Sequence, residues 1–382
     1  MKEGFARLKT KDNGRKRLHL NTSGFYVVAA LFIILALAVS IRLGLCPGLA
    51  TGFSPAPAEN GDGDGPVSGT RFMMGTVVTM KAYGPGAAGA VEQGFARVRE
   101  IENKISVNIQ ASEVSKVNSE AGLRPVRVGR DAFDIARSAL EYAALTSGKF
   151  DPAIGPIVKL WGIGTDHARV PDPDVLAAKL SLVDYRDVIL DGNRHSIMLK
   201  RKGMALDFGG IAKGYAADEV VRIFKERGVK SAYVDLGGNV FVVGSRPDGR
   251  PWRIAIQDPR KERGFYVGII EAKDKSIVTS GDYERYFEAN GKRYHHIFDP
   301  ATGRPADSGI MSATIISDRS IDGDALSTSV FILGPEKGLE LVNRLPGIEA
   351  VIITTDRKVL ISRGLAESGA FTITSKEYRL TR

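Results

Sequence analysis

An uncharged apolar run near the N-terminus, residues 25–41, most limits how this chain can be organised. It follows a basic stretch, residues 1–24, that holds seven Lys or Arg and two acidic side chains. Seventeen residues lie at the short end for a spanning helix, and the Arg42 side chain that follows can extend to the interface. The pattern predicts a transmembrane anchor over residues 25–45, with residues 1–24 in the cytoplasm by the positive-inside rule.

Two alternatives to an uncleaved anchor remain open. A cleaved signal peptide also begins with a basic stretch and an apolar core. A lipoprotein signal would end at Cys46, although Leu45 stands where a small residue is usual. All three interpretations place the rest of the chain outside the cytoplasm, so we expect the protein at the inner (cytoplasmic) membrane with its folded region extracytoplasmic.

Charge and cysteine content exclude several classes of protein. The net charge is +9, but residues 1–24 contribute +5 of it, so the other 358 residues carry only +4. This balance excludes nucleic-acid binding as the primary function, because such proteins concentrate positive charge on the folded domain. The single cysteine excludes a disulfide framework and any metal site built from several cysteines.

A linker separates the anchor from one folded region. Residues 46–68 hold nine Gly or Pro and little that could form a core, which is typical of a flexible tether. Strand and helix patterns occur in runs rather than in strict alternation, so we expect an α+β fold over residues 69–382. We predict a strand over 71–81, helices over 88–104, 131–147 and 211–227, two helices within 322–345, and strands through 232–318, 349–354 and 357–361.

Three polar clusters are candidates for chemistry, and the first surrounds a predicted helix start. An apolar strand ends at Asp207, Gly209-Gly210 follow, and Lys213 lies in the first helical turn. Glycines allow a ligand to approach the backbone, and a helix N-terminus suits phosphate. The alternative is that Asp207 only caps the helix.

The second cluster is a carboxylate and a hydroxyl on one helix face. Asp324 and Thr328 are four residues apart, so their side chains lie on the same side of the predicted helix. Oxygen donors of this kind suit Mg²⁺ beside phosphate groups. The alternative is an ordinary helix N-terminus with capping residues.

The third cluster is the histidine pair His295-His296, which precedes Asp299-Pro300. Adjacent residues of a strand point to opposite faces, so a zinc site with both histidines is disfavoured. A single histidine that faces a phosphate pocket better suits general base catalysis.

Taken together, these segments resemble the ApbE family of flavin transferases over about residues 70–355. Several motifs in the same order carry the resemblance. They are Met74-Gly75-Thr76, Ile105-Ser106, Ser112 to Asn118, Phe150 to Pro156 with Leu160-Trp161-Gly162, Asp207 to Ala217, Asp235 to Asn239, Thr279 to Tyr283, His296 to Gly303 and Asp324 to Thr328.

The resemblance implies an ApbE-like (T-fold-related) fold of mixed sheets with packed helices, and an FAD:protein FMN transferase activity. In such a reaction FAD is bound with Mg²⁺, FMN is joined to a Thr or Ser hydroxyl of a partner protein, and AMP leaves. It implies His296 as the base and Gly210 (through its carbonyl), Asp324 and Thr328 as metal ligands. The implied FAD contacts are Met74, Lys149, Phe150, Asp151, Asp207, Lys213 and Ile297, with Asn108 where many members have a flavin-stacking Tyr.

The resemblance also implies the partner, an acceptor subunit of a membrane electron-transport complex that carries an Asp-x-x-Ser/Thr-Gly/Ser-Ala-Thr motif. The segment nearest to that motif here, residues 310–314, has Met311 where Ser or Thr is required, which argues against self-modification. Two alternative functions use the same residues. They are an FAD pyrophosphatase, in which water replaces the acceptor hydroxyl, and a flavin-binding protein without catalysis.

Overall fold

The computed structural model of the protein describes residues 65–381. The predicted basic tail, the anchor and all but the last residues of the predicted linker lie outside the described residues. Among residues 65–381, no helix is long and apolar enough to cross a bilayer. The first strand begins at Val67, two residues before the expected start of the folded region.

Nine helices occur in the described part of the chain. They are α1 (Ala87–Ile105), α2 (Glu113–Ser119), α3 (Arg130–Leu145), α4 (Gly155–Trp161), α5 (Pro173–Leu180), α6 (Ala212–Glu226), α7 (Ser320–Leu333), α8 (Pro335–Arg344) and α9 (Arg363–Ser368).

The strands of residues 65–381 form one large sheet and four small ones. In chain order they are β1 (Val67–Met73), β2 (Thr76–Tyr83), β3 (Val126–Arg127), β4 (Val188–Asp191), β5 (Ser196–Leu199), β6 (Ser231–Leu236), β7 (Asn239–Val243), β8 (Trp252–Gln257), β9 (Tyr266–Ala272), β10 (Lys275–Gly281), β11 (Tyr286–Ala289), β12 (Lys292–His295), β13 (Phe298–Asp299), β14 (Arg304–Pro305), β15 (Ile310–Ser317), β16 (Glu349–Thr354), β17 (Lys358–Ile361), β18 (Phe371–Ile373) and β19 (Arg379–Thr381).

The large sheet has nine strands in the order β1-β2-β6-β7-β10-β15-β16-β17-β19. Its pairs are antiparallel except for the parallel pair β17–β19. Every residue of β15 is buried, because both faces of the sheet are covered at its centre. A strand covered on both sides does not alternate between apolar and polar residues, and the polar residues that β15 contains, Ser312, Thr314 and Ser317, are small and buried.

Apolar side chains fill the space on both faces of the large sheet. Met80 of β2, Phe95 of α1 and Phe224 of α6 belong to one core cluster, so these helices cover one face. On the other face, Val240 and Ile277 share a cluster with residues of the three-stranded sheet β18-β9-β8. Mostly antiparallel strands with helices packed on the large sheet confirm the predicted α+β class.

One predicted strand, residues 71–81, is wrong in its extent. The segment is a hairpin, in which β1 and β2 are joined by a turn at Met74-Gly75. Both turn residues have positive φ, 51° and 69°, as a tight two-residue hairpin turn requires. Methionine rarely adopts that conformation, and strand-like residues continue on both sides of the turn. The sequence therefore gives no signal for a turn at Met74-Gly75.

The other predicted helices and strands are confirmed to within a few residues, with two exceptions. The stretch 293–298 divides between β12 and β13. The predicted strand that ends at Asp207 is wrong: residues 201–207 form a turn and one isolated bridge from Ala205 to Ile154, because the Asn118 side chain rather than a strand pairs with Leu206. The short helix α9 of six residues is absent from the predictions, as are the short helices α2, α4 and α5. Each has six to eight residues, too few to show a clear helical period.

Candidate active site

The candidate site lies where α6 and α7 pack closely together. Gly214 makes this contact possible, since a methyl group there would lie 2.4 Å from the carbonyl oxygen of Ser320. Across the contact, Asp324 Oδ2 accepts a hydrogen bond of 2.9 Å from Gly214 N, and Lys213 Nζ lies 3.3 Å from Asp324 Oδ1. Asp324 is only 3% exposed. Its carboxylate is therefore buried beside a helix start and one cation.

Asp324 is not the cap of α7, so the structure decides against the capping interpretation. That role belongs to Asp218 of α6, whose carboxylate accepts hydrogen bonds from Ser320 N at 2.6 Å and Ile321 N at 3.0 Å. Burial raises the pKa of Asp218 to about 6, against the opposing effect of those two bonds. Because Asp218 satisfies the start of α7, the Asp324 carboxylate instead accepts from Gly214 N in the first turn of α6 and faces Lys213.

Thr328 lies one turn beyond Asp324 and faces Gly210. A methyl group at Gly210 would lie 3.4 Å from Thr328 Oγ1 and 3.1 Å from the Phe150 ring, so any side chain would crowd this space. The Thr328 hydroxyl thus lies against Gly210, whose carbonyl the resemblance implies as a ligand, and the Asp324 carboxylate stands one turn away on the same helix. All three are hard oxygen donors that suit Mg²⁺. Among residues 65–381, the structure has no group of three or more His, Cys, Asp or Glu placed to hold a metal ion.

The loop from Asp207 to Gly210 is held by short hydrogen bonds. Asp207 Oδ1 accepts from Gly209 N at 2.7 Å, and burial raises the pKa of Asp207. Asn118 of α2 forms a paired interaction with the residue before the loop. Its Nδ2 donates to Leu206 O at 3.0 Å, and its Oδ1 accepts from Leu206 N at 2.7 Å. The Asn118 side chain therefore supplies the donor and the acceptor that a neighbouring strand would otherwise offer to the Leu206 backbone.

Replacing Asn118 by Ala should lower the free energy of unfolding by about 1–3 kcal/mol, because both backbone groups of Leu206 lose their partner. Urea unfolding followed by circular dichroism measures the change. Ser119→Ala is the matched control, since Ser119 is exposed and its hydroxyl bonds only within α2, to Lys116 O. Equal stability of Asn118→Ala and wild type would show that the paired bonds do not hold the loop.

Hydrogen bonds assign different tautomers to the two histidines. His296 Nδ1 lies 3.1 Å from the carbonyl oxygen of Arg285, which can only accept, so Nδ1 carries the proton and Nε2 has a free lone pair. His295 has the opposite arrangement: its Nε2 donates to Ala306 O at 3.0 Å, and its Nδ1 accepts from Ile297 N at 3.3 Å. Both ring nitrogens of His295 are hydrogen-bonded within the fold, so of the two histidines only His296 can act as a base.

Burial and nearby positive charge keep His296 neutral. Burial lowers its pKa to about 3, helped by the charges of Arg285 and Lys213. The Arg285 charge also opposes the rise in the pKa of Asp207. His296 and Asp207 therefore both lie within range of the same guanidinium, which connects the third cluster with the first.

The other residues named by the resemblance lie in varied settings. Lys149 pairs with Asp299 at 3.0 Å, and Met74 N donates to Glu102 Oε1 at 2.7 Å. Asn108 is exposed. The remaining two, Asp151 and Ile297, are buried.

Burial limits what Asp151 and Ile297 can offer a ligand. Both carboxylate oxygens of Asp151 accept backbone hydrogen bonds, from Ala153 N at 2.8 Å and Tyr185 N at 3.0 Å. Burial raises the pKa of Asp151 to about 6. The Ile297 side chain is 4% exposed and belongs to an apolar cluster. Asp151 thus shapes its loop. The backbone of Ile297 is also paired, its N–H with His295 Nδ1 and its carbonyl oxygen with Ala306 N.

Sequence reasoning gave no individual role to Asn118, Asp218, Ser280 or Arg285. Asn118 and Ser280 stand within motifs that carry the resemblance, which is a usable signal. Asp218 bonds to a backbone N–H of Ser320, which is distant in sequence, and Arg285 holds His296 through its backbone carbonyl. No sequence pattern marks either residue.

A separate charged cleft is not the candidate site. It has a volume of about 450 Å³ and lies beside Tyr215 of α6. Its arginines are largely paired with its own acidic residues, as Arg97 is with Asp131 and Glu219. The charged lining residues are Arg97, Arg130, Asp131, Asp134, Arg137, Glu219, Arg222 and Arg319.

Comparison with known proteins finds similar sequences over most of the chain. A sequence model of the ApbE family matches residues 74–352. The chain is 39% identical to the FAD:protein FMN transferase of Treponema pallidum (strain Nichols) over 317 residues, covering 78% of this chain and 88% of that protein. It is 38% identical to an FAD:protein FMN transferase of Klebsiella pneumoniae (strain 342) over 293 residues, covering 77% of this chain and 90% of that protein.

Solved structures show the same fold. The ApbE protein of Thermotoga maritima superimposes with a TM-score of 0.74 at 31% identity, covering 79% of this chain and 99% of that one. The flavin transferase ApbE of Vibrio cholerae superimposes with a TM-score of 0.72 at 29% identity, again covering 79% and 99%. The match extends over almost the whole of both solved chains.

Proposed function

The chain belongs to the ApbE family, and we propose that it is an FAD:protein FMN transferase that joins FMN to a Thr or Ser hydroxyl of a partner protein and releases AMP. The observation that supports the proposal is that Lys213 pairs with the buried Asp324 and its charge also acts on His296, whose Nδ1 is bonded to the Arg285 carbonyl, while the Thr328 hydroxyl lies beside Gly210. Flavin storage alone would need neither a base nor an oxygen donor set.

In the proposed reaction, groups around the start of α6 bind and orient FAD. Lys213 and Arg285 place positive charge where the pyrophosphate would bind. Asp324, Thr328 and the Gly210 carbonyl would hold Mg²⁺. When bound, this ion would neutralise charge on the pyrophosphate and so favour phosphoryl transfer.

His296 supplies the proton transfer in the proposed reaction. Its Nε2 takes the proton of the acceptor hydroxyl as that oxygen bonds to the phosphorus on the FMN side. The phosphoanhydride bond breaks, and AMP leaves with the bridging oxygen. The Arg285 carbonyl holds the imidazole in the required tautomer throughout. The negative charge of bound FAD opposes Lys213 and Arg285, and should raise the His296 pKa above about 3, making it a stronger base.

The acceptor is a different protein in this proposal. Thr314 ends the segment that most resembles an acceptor motif, but it is fully buried in β15 and its hydroxyl lies 2.7 Å from Thr279 Oγ1. We propose a subunit of a membrane electron-transport complex as the acceptor. An N-terminal anchor over residues 25–45 would hold the enzyme at the inner membrane, with its folded region extracytoplasmic.

The test is transfer to an acceptor that carries the motif. The full chain, purified in detergent, is incubated with FAD, MgCl₂ and the acceptor, and the products are examined by in-gel flavin fluorescence and intact mass. We expect a fluorescent acceptor heavier by FMN minus water, and no change in an acceptor whose target Thr is replaced by Ala. An unmodified acceptor under every divalent cation would contradict the proposal.

A further inference from the structure

We propose that Ser280 is a positioning residue that orients the hydroxyl of Thr328 toward the proposed metal site, an inference that rests on the proposed function. Ser280 stands near the end of β10, beside α7. Its Oγ lies 2.9 Å from Ser327 Oγ and 3.3 Å from Thr328 Oγ1. Three hydroxyl groups thus meet, and one of them belongs to the proposed metal ligand Thr328.

The number of protons available fixes which hydroxyl donates and which accepts in each hydrogen bond of this cluster. Each hydroxyl has one proton to donate and two lone pairs. Ser327 Oγ lies 3.0 Å from the carbonyl oxygen of Asp324, which can only accept, so the Ser327 proton is used there. The 2.9 Å contact between Ser280 and Ser327 then requires Ser280 to donate. Having given its proton away, Ser280 can only accept from Thr328.

The result is a chain of donation from Thr328 to Ser280, Ser327 and the Asp324 carbonyl. With its proton directed at Ser280, Thr328 presents lone pairs to its other neighbours. Those include the space beside Gly210, where a methyl group would lie 3.4 Å from Thr328 Oγ1. A cation needs lone pairs and is repelled by a hydroxyl proton, so this orientation prepares Thr328 as a ligand.

Loss of such an orienting partner usually weakens metal binding without changing the ligands. Partners that hold a ligand in orientation are worth about 10–100-fold in metal affinity. Ser280→Ala removes the acceptor and frees the Thr328 proton to rotate into the site. We therefore expect the Kd for the metal to rise about 10-fold or more, while the Michaelis constant for FAD at saturating metal stays close to wild type.

The experiment titrates the full chain with Mn²⁺, a probe for Mg²⁺, by electron paramagnetic resonance with and without FAD. Thr279→Val is the matched control, because Thr279 precedes Ser280 on β10 and bonds to Thr314 on the opposite face. It should bind Mn²⁺ within about twofold of wild type. Ser280→Thr keeps a hydroxyl and should restore most of the affinity lost in Ser280→Ala.

The outcomes separate the two proposals. If wild type binds Mn²⁺ and Ser280→Ala binds it equally well, the role of Ser280 is wrong and the metal site stands. If wild type itself binds no Mn²⁺ with or without FAD, the metal site of the proposed function fails. A similar loss in Ser280→Ala and Thr279→Val would also overturn the role, since it would reflect general damage to β10.

Discussion

Asp324→Ala is expected to reduce flavin transfer by about 10²-fold or more. Asp324 is the only side-chain carboxylate among the proposed ligands, and the Thr328 hydroxyl with one backbone carbonyl cannot replace its charge. Excess Mg²⁺ should restore part of the lost rate, since the defect is in metal affinity. The measurement is the initial rate of acceptor flavinylation as a function of Mg²⁺ concentration.

Two further variants separate loss of the metal from loss of structure. Asp324→Ala also removes the acceptor of the Gly214 N–H bond, whereas Asp324→Asn keeps an oxygen there and should fold nearly as stably while remaining defective. Asp322→Asn is the matched control: Asp322 lies on the same helix, but its partner is the Tyr142 hydroxyl at 2.6 Å. Wild-type activity of Asp324→Ala at sub-millimolar Mg²⁺ would show that the metal site is misplaced.

His296→Asn should slow transfer by about 10²–10⁴-fold, the usual contribution of a general base. The variant loses Nε2, and with it the only proton acceptor proposed for the hydroxyl. Metal and FAD should still bind, so excess Mg²⁺ should not restore its rate, in contrast to Asp324→Ala. His295→Asn tests the neighbour: it should mainly reduce stability, because His295 bonds to Ala306 and Ile297 in the core.

The pH dependence of the rate gives an independent check on His296. Burial lowers its pKa to about 3 in the free protein, so protonation of this group should not reduce kcat/KM between pH 8 and pH 6. Negative charge on bound FAD should raise the pKa in the complex. The acid limb of kcat should therefore lie at higher pH than that of kcat/KM. Limbs in the reverse order would argue against His296 as the base.

Local spacing was enough to predict the carboxylate and hydroxyl of the site, but not to decide their role. Residues four positions apart in a helix lie on the same face, so the spacing of Asp324 and Thr328 is enough to place their side chains together. Whether Asp324 caps the helix depends on Asp218, about one hundred residues earlier, which satisfies Ser320 N and Ile321 N instead. Only the packing of α6 against α7 distinguishes the two possibilities.

The histidine pair shows the same limit. Strand alternation predicts that one histidine faces the site, and the resemblance selects His296. The tautomer that makes His296 a base depends on the backbone carbonyl of Arg285, and that atom carries no sequence signal. Fold class was predictable because runs of strands and helices are visible in the apolar pattern. The Met74-Gly75 turn was not, because strand-like residues continue on both sides of it.

The most direct test of the central claim is the ratio of AMP released to FMN covalently attached to the acceptor, measured by chromatography and intact mass in one reaction. Transfer predicts one AMP for each attached FMN, and little AMP when the acceptor or its target hydroxyl is absent. AMP and free FMN formed at the same rate with and without acceptor would contradict transfer and identify water as the true acceptor.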